Sequence, residues 1–370
     1  MSDRAERLHD FLVRAGWGDA TLTALAGDAS TRRYLRAERR GVTAMVMDQP
    51  QSAESPPAPA GADPALRQRL GYNAIARLAG ADCGRFVAVS EYLRHRGLSA
   101  PQIFAWDATA GFVLSEDLGN TLYADMIDAG HDATELYRTA VDILVRLHEE
   151  PAPSELPGDI PFFRYDEPAL LAEIDLFAEW YLPLLLGRRA HDSESYEHRA
   201  LWTRALRQLD GSIPVFVHRD YHAQNLMWLQ QRTGLARTGV IDFQDAVAGS
   251  AAYDLVSLLE DARRDVPRDL ADAMLNYYLK ERSGFIGFDT QTFESEKAIM
   301  AAQRYAKIIG IFSRLYLRDG KPRYLAMIPR VWSYLETDLH HPVLSPLKIW
   351  YDDLIPSALR QQAPQPGIRP

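Results

Sequence analysis

The spacing of apolar positions changes partway along the chain. Thr21–Ala26, Arg33–Glu38 and Val42–Met47 are short β-prone runs separated by Gly-containing turns, which predicts an antiparallel meander. Before it, Leu8, Phe11 and Leu12 sit among charges within Met1–Gly18 and predict an amphipathic helix. A second helix is predicted at Arg85–Arg96, with Phe86, Val89, Tyr92 and Leu93 on one face and Gly97 where a C-terminal cap belongs. Strands at Gln102–Trp106 and Gly111–Leu114 complete a β-rich first part. From Thr134 onward the 3.6-residue period takes over. Leu136, Ala140, Ile143, Leu144 and Leu147 mark one stripe, and others run through Leu170–Leu186 and Tyr196–Leu209. Three short β runs, Val215–Val217, Leu226–Trp228 and Thr238–Ile241, interrupt the helices, and polar loops join them.

Composition narrows the picture. The chain has 370 residues and is 47% hydrophobic, enough for two lobes, and its net charge of −9 argues against a nucleic-acid partner, whose binding needs clustered positive charge. Cys83 is the single cysteine, so an intramolecular disulfide and a cysteine-based zinc site are excluded. The N-terminus lacks the apolar core of a signal peptide, and the most apolar stretch, Trp180–Leu186, is too short to span a bilayer. The expectation is a cytoplasmic protein with no membrane association and no obligate protein partner. A Pro-rich stretch, Gln49–Pro64, reads as a mobile loop. Among the basic residues arginine dominates, and no lysine precedes Lys280.

The densest chemistry lies in the polar loops. One reads His218-Arg219-Asp220-Tyr221-His222-Ala223-Gln224-Asn225, and the next opens Ile241-Asp242-Phe243-Gln244-Asp245. Phosphoryl transfer needs one carboxylate at the acceptor hydroxyl, and an amide and a second carboxylate to hold Mg²⁺ on nucleotide phosphates. By that logic Asp220 is the base or orienting group and Asn225 and Asp242 are the metal ligands. Each residue alone reads equally well as a turn residue. All three at this spacing, flanked by β-prone apolar residues, favour the chemistry. His218 and His222 lack a third strong ligand for zinc. His218 reads as a packing and hydrogen-bonding residue of the loop, and His222 as one that faces a substrate.

His218-x-Asp220 to Asn225, followed by Ile241-Asp242-Phe243, resembles the catalytic and metal-binding loops of the protein-kinase-like fold, in its aminoglycoside- and choline-phosphotransferase branch. Only Phe243–Tyr253 separates Asp242 from Asp254, which leaves no room for a protein-substrate platform and favours a small-molecule acceptor. A finer similarity is to bacterial anomeric sugar kinases that phosphorylate N-acetylmuramate and N-acetylglucosamine at C1 in cell-wall recycling. It is carried by Gly27–Tyr34, Met47-Asp48, Ile241–Ala246, Tyr253-Asp254-Leu255 and the Arg318-Asp319-Gly320-Lys321-Pro322-Arg323-Tyr324-Leu325 run.

The resemblance implies an α+β, two-lobed kinase-like fold: a β-rich nucleotide-binding lobe over residues 1–114, a hinge at 115–119 and a mainly helical catalytic and acceptor-binding lobe over 120–370. It implies ATP and Mg²⁺ as cofactors and an amino sugar as substrate. Ser30 and Thr31 would meet phosphate oxygens, and Ser115, Glu116 and Asp117 would hold the adenine edge. The lysine expected on the third strand is missing. Arg32 or Arg33 could replace it, and strand alternation points the two to opposite faces, with Arg32 preferred. Glu91 is a candidate partner for that arginine. His222, Asp245 and Arg314 are candidates for the acceptor, with orientation of Asp242 and metal contact as the other readings of Asp245 and the lactyl carboxylate of N-acetylmuramate as the target of Arg314, although a charged stripe such as Arg304, Lys307, Arg314 and Arg318 is usually a solvated helix face. Asp254 reads as a structural brace. The Pro-rich stretch and the Ala65–Gly84 segment after it depart from the family pattern. Another small-molecule kinase, of the aminoglycoside or choline type, and a nucleotide-binding pseudokinase module are the alternative readings.

Overall fold

Residues 3–25, 32–50, 55–285 and 287–364 are described by a computed structural model. Contacts divide the chain into two units, one comprising Met1–Leu147, Pro153–Phe163 and His218–Val247, the other His148–Ala152, Arg164–Val217 and Ala248–Pro370.

In the first unit, five antiparallel strands lie in the order β1-β2-β3-β5-β4: β1 (Thr21–Ala24), β2 (Arg33–Arg39), β3 (Val42–Asp48), β4 (Ile103–Asp107) and β5 (Phe112–Glu116). Arg40 and Gly41, both at positive φ (51° and 77°), form the two-residue turn that sets the β2–β3 register, Arg39 opposite Val42. That register gives the sheet two unlike faces. Leu35, Ala37, Ala44, Val46, Phe112 and Leu114 pack against Leu8, Phe11 and Leu12 of helix α1 (Asp3–Arg14), as its amphipathic pattern predicts. Arg4 anchors that helix, with its guanidinium 4.1 Å over the Phe112 ring and Nε donating to Asp48 Oδ1 at 3.0 Å. The other face carries Tyr34, Arg36, Met45, Met47, Val113 and Ser115.

Helix α2 (Cys83–His95) starts two residues earlier than its apolar face suggests, because Asp82 caps it through the Gly84 N–H at 2.9 Å. Gly97 follows at φ 82°. Strands β6 (Leu226–Trp228) and β7 (Thr238–Val240) form a hairpin, and the Val240 N–H donates to the Ser99 carbonyl at 2.8 Å, joining His218–Val247 to this unit. Helix α3 (Ala133–Leu147) buries the predicted stripe and accepts the Tyr221 hydroxyl at the Ala140 carbonyl, 2.9 Å away. Part of the Pro-rich stretch, residues 51–54, lies outside the described residues. Ser55 is fastened to Asn73 by two hydrogen bonds of 2.9 and 2.7 Å.

The second unit is mainly helical: α4 (Glu167–Leu176), α5 (Asp192–Leu206), α6 (Ala252–Leu259), α7 (Thr290–Leu317) and α8 (Ile328–Asp338). The Leu170–Leu186 stripe is not one continuous α-helix. A π turn occupies Phe177–Tyr181, just before Leu182–Leu186. Pro183 has no N–H to return to the preceding turn, and the hydrogen-bond ladder widens ahead of it. Alpha7 approaches this region so closely that a Cβ on Gly310 would lie 2.5 Å from the Leu176 carbonyl carbon. The basic stripe is solvated at Arg318, whose side chain is 56% exposed, but not at Arg304 and Lys307. Arg304 is buried and donates to Ser257 Oγ at 2.8 Å, and Lys307 pairs with the buried Glu173 at 3.0 Å. Asp254, on α6, is also fully buried. Among the described residues no helix is long and apolar enough to cross a membrane.

Two histidines sit in this core. His148 Nδ1 lies 2.7 Å from the Tyr278 hydroxyl, and His198 Nε2 lies 2.8 Å from that of Tyr351 and accepts from Trp202 Nε1 at 3.0 Å. Burial pushes both imidazoles down to about 3, with Arg282 adding to the effect at His148. The unfolded chain takes up protons as pH falls through about 6.5, whereas the folded chain stays neutral at these rings until about 3. Stability from this source is therefore present above pH 6.5 and lost on acidification, by about 2 kcal/mol per histidine at pH 5. Thermal melts at pH 7 and pH 5 check this, and replacing His148 by Gln should reduce the difference between them.

Candidate active site

The inner sheet face and the two polar loops line one cavity of about 530 Å³ within the first unit. Its walls include Arg32, Tyr34, Met45, Ser115, Asn225 and Asp242, and its size falls in the range of small-molecule sites. Strand β3 presents Met45 and Met47 on this side, so the positively charged group comes instead from the residue preceding β2.

Arg32 Nη1 stands 3.5 Å from Asp242 Oδ1. Burial opposes its charge, but Tyr34, Asp242 and Asp245 outweigh that effect and raise its pKa above the ordinary arginine value. Arg33 turns the other way and pairs with Asp48 at 2.5 Å, with 62% of its side chain exposed. The alternation expected from the sequence thus puts only Arg32 in the cavity. Glu91 is exposed on α2 and takes no part in its walls. Ser30 and Thr31 lie outside the described residues.

The loop geometry begins with His218. Its Nε2 lies 2.9 Å from the Ile241 carbonyl, and its Nδ1 accepts the Asp220 N–H at 3.3 Å, so a neutral imidazole with its proton on Nε2 ties the loop before β6 to the loop after β7. The Asp220 carbonyl accepts Asn225 Nδ2 at 2.9 Å, which fixes the amide and leaves Oδ1 as its other polar atom. Arg219 and Asp242 both adopt left-handed backbone (φ 78° and 62°), unusual for residues with side chains and concentrated here beside the two acids. His222 is buried, and its carbonyl accepts the Asn225 N–H at 2.8 Å.

Protein packs around Asp242 on most sides, yet 44% of its side chain is open to the cavity. Burial pushes its carboxyl up to about 6; Asp220 and Asp245 add to that, while Arg32 and a 3.0 Å hydrogen bond from Gln244 Nε2 oppose it. Asp245 accepts the Ala79 N–H at 2.6 Å and Gln244 Nε2 at 3.4 Å. Among the described residues no group of three or more His, Cys, Asp or Glu forms a metal cluster. Asn225 and Asp242 supply two hard oxygen donors to one cavity, and two protein ligands with room for phosphate and water suit Mg²⁺.

On the opposite side of the cavity the side chains of Glu116 and Asp117 are already engaged. Asp117 receives Arg36 at 2.6 and 3.1 Å and the Gly119 N–H at 3.0 Å; although burial favours its neutral form, these bonds hold its carboxyl below the usual value. Glu116 is paired with Arg232 and lies 3.6 Å from Arg94. Arg36 and Gln244 are two site residues to which sequence reasoning gave no role. Arg36 shares a strand face with Arg32 and Tyr34 by period-two spacing, and that signal was present in the sequence. Arg314, on α7 in the second unit, lies close enough to Glu179 to oppose the upward shift that burial causes there.

A five-stranded antiparallel sheet and a helical unit, with an Asp220/Asn225/Asp242 set carried on consecutive loops, define a kinase-like phosphotransferase. The fold matches that of an ADP-bound aminoglycoside phosphotransferase, APH(2'')-Ib, with a TM-score of 0.53 at 16% identity, covering 91% of this chain and 97% of that one. Residues 21–288 match the phosphotransferase enzyme family, and the chain belongs to it. It is 42% identical over 363 residues to the N-acetylmuramate/N-acetylglucosamine kinase of Caulobacter vibrioides, covering 97% of this chain and 99% of that protein. The protein of that name from Pseudomonas putida is 34% identical, over 89% of this chain and 88% of its own.

Proposed function

We propose that the chain is an ATP-dependent sugar kinase that transfers the γ-phosphoryl group to the anomeric hydroxyl of N-acetylmuramate or N-acetylglucosamine, within peptidoglycan recycling. The observation that carries this reading is the 42% identity, over nearly the whole of both chains, to a kinase named for those two sugars. The geometry of the first unit supports it.

The adenine edge is assigned to the backbone of Ser115 and Asp117, whose neighbouring side chains are fixed by Arg36 and Arg232. Arg32 reaches the phosphates with a planar guanidinium able to make two parallel bonds. Asn225 and Asp242 would hold Mg²⁺, which would supply charge compensation on the phosphates. Asp220 aligns the C1 hydroxyl and takes its proton as the sugar oxygen bonds to the γ-phosphorus and the bond from that phosphorus to the β-bridging oxygen breaks, releasing ADP. A hemiacetal hydroxyl is more acidic than an ordinary alcohol, so a carboxylate is an adequate base. His222 is assigned to the acceptor.

An ADP-release assay with N-acetylmuramate, N-acetylglucosamine, glucose and kanamycin tests the reading. Turnover is expected with the two N-acetyl sugars and not with kanamycin, with phosphorus coupled to the C1 proton in the product spectrum. Release stimulated by no acceptor rejects the kinase reading, and release stimulated only by kanamycin moves it to another acceptor class.

A further inference from the structure

The segment between β3 and α2 is long for a strand-to-helix connection, and its far end reaches the two acid-bearing loops. Its own construction is tight. Asp63 caps the short helix Pro64–Leu70 through the Leu66 N–H at 2.7 Å, and the buried Arg67 donates to the Ala74 and Ile75 carbonyls at 3.2 and 2.5 Å. With Asn73 fastened to Ser55, the turn that follows, Ala76–Ala79, is presented from a fixed base.

That turn makes two bonds to the loops. The Ala76 carbonyl accepts Nη1 of the buried Arg219 at 3.0 Å, one residue before Asp220. The Ala79 N–H donates to Asp245 Oδ1 at 2.6 Å. Asp245 Oδ2 accepts Gln244 Nε2, and the same nitrogen reaches Asp242 Oδ1. Arg85 adds a cross-tie, with Nη1 on the Arg77 carbonyl at 3.3 Å and Nη2 on the Ala246 carbonyl at 2.9 Å. Arg77 itself holds a left-handed backbone (φ 61°) and lies over the Phe163 ring at 4.5 Å.

We propose that the Ala76–Ala79 turn is a brace for phosphoryl transfer, and that Asp245 is a positioning residue: it transmits the turn's backbone to Asp242 through Gln244, and does not itself bind metal or sugar. Both Asp245 oxygens are used inside the protein, one by a main-chain donor and one by the amide that also orients Asp242. The role of Asp242 rests on the proposed function, whereas the brace itself is a structural statement that can be tested without turnover.

The experiment combines steady-state kinetics with hydrogen–deuterium exchange on Asp245→Ala and Asp245→Asn. Removing the carboxylate should lower kcat about tenfold or more while leaving KM for ATP and for sugar within about threefold, because the loss is one of alignment. Amides in Leu78–Ala79 and Ile241–Ala246 should exchange faster, with the melting temperature changed by only a few degrees. Asp245→Asn keeps an oxygen facing Ala79 but sets an NH2 group against Gln244 Nε2, so it should restore the protection of Leu78–Ala79 while leaving Ile241–Ala246 fast and kcat low. Unchanged exchange in both stretches of Asp245→Ala overturns the brace. A rise in sugar KM alone makes Asp245 an acceptor contact and overturns it too. Should Asp245→Ala fail to fold, Asp245→Ser, too short to reach the Ala79 N–H, supplies the same comparison. If the unaltered protein releases no ADP with any sugar, the kinase reading fails and the exchange data alone decide the brace.

Discussion

An Asp220→Asn variant should lose turnover by about a hundred- to ten-thousandfold, the usual worth of a positioned acid or base, while still binding nucleotide. The substitution is close to isosteric, and the hydrogen bonds described for this loop bypass the carboxylate. His218 holds the Asp220 N–H, and Asn225 holds its carbonyl. The cavity, lined by Arg32, Ser115, Asn225 and Asp242, does not depend on the Asp220 side chain for its walls. The neutral amide cannot take the hydroxyl proton, and removing a negative charge beside Asp242 relieves the repulsion that helps raise that carboxyl. The loss should therefore appear in kcat, with the dissociation constant of ADP changed little. Calorimetric titration with ADP and the coupled assay separate the two quantities. Full turnover in Asp220→Asn removes Asp220 from the role of base.

The second large effect is on stability. Gly310→Ala should destabilise the protein by about 1–3 kcal/mol, the range for overpacking a tight contact. Alanine in the middle of a helix normally gains about 1 kcal/mol over glycine, so the sign is informative. Here the added methyl would lie 2.5 Å from the Leu176 carbonyl carbon and 2.7 Å from the Phe177 nitrogen. Those are backbone atoms at the junction of α4 and the π turn, which cannot swing aside as a long side chain would. Relief requires moving one helix off the other. A fall in melting temperature of roughly 2–12 °C is expected. An unchanged or higher value shows that the junction yields and that propensity decides.

Much of this architecture was legible in the sequence for definite reasons. The β6 and β7 runs and the polar loops around them stand out because apolar triplets alternate with Asp, Asn and His. Strand alternation alone put Arg32 and Arg33 on opposite faces, so that only one of them could enter the cavity. Other features depend on contacts that a one-dimensional pattern does not carry. Asp82 shifts the start of α2 by a cap. Pro183 interrupts a stripe whose apolar spacing looks continuous. Arg304 and Lys307 resemble a solvated face in sequence, but in the interior Ser257 accepts a hydrogen bond from the first and Glu173 pairs with the second, both from positions distant along the chain. Asp245 is the clearest case in the site. Its spacing from Asp242 left orientation of Asp242, metal contact and sugar contact open, and nothing local announces that an amide 166 residues away occupies one of its oxygens.

The arginine beside Asp242 also has a consequence for chemical labelling. Every lysine in the chain, from Lys280 to Lys348, belongs to the second unit. A nucleotide in the cavity of the first unit therefore has no ε-amine from its own walls to react with. Acylating nucleotide probes that mark kinases through a lysine at the phosphates have no such nucleophile there, and Cys83, the single thiol, is buried with its pKa pushed up to about 11, chiefly by burial. A guanidinium also keeps its proton across the whole working range of pH. The cavity walls of the first unit thus pair a permanent positive charge with no ε-amine, and lysine acylation of this chain reports on the second unit.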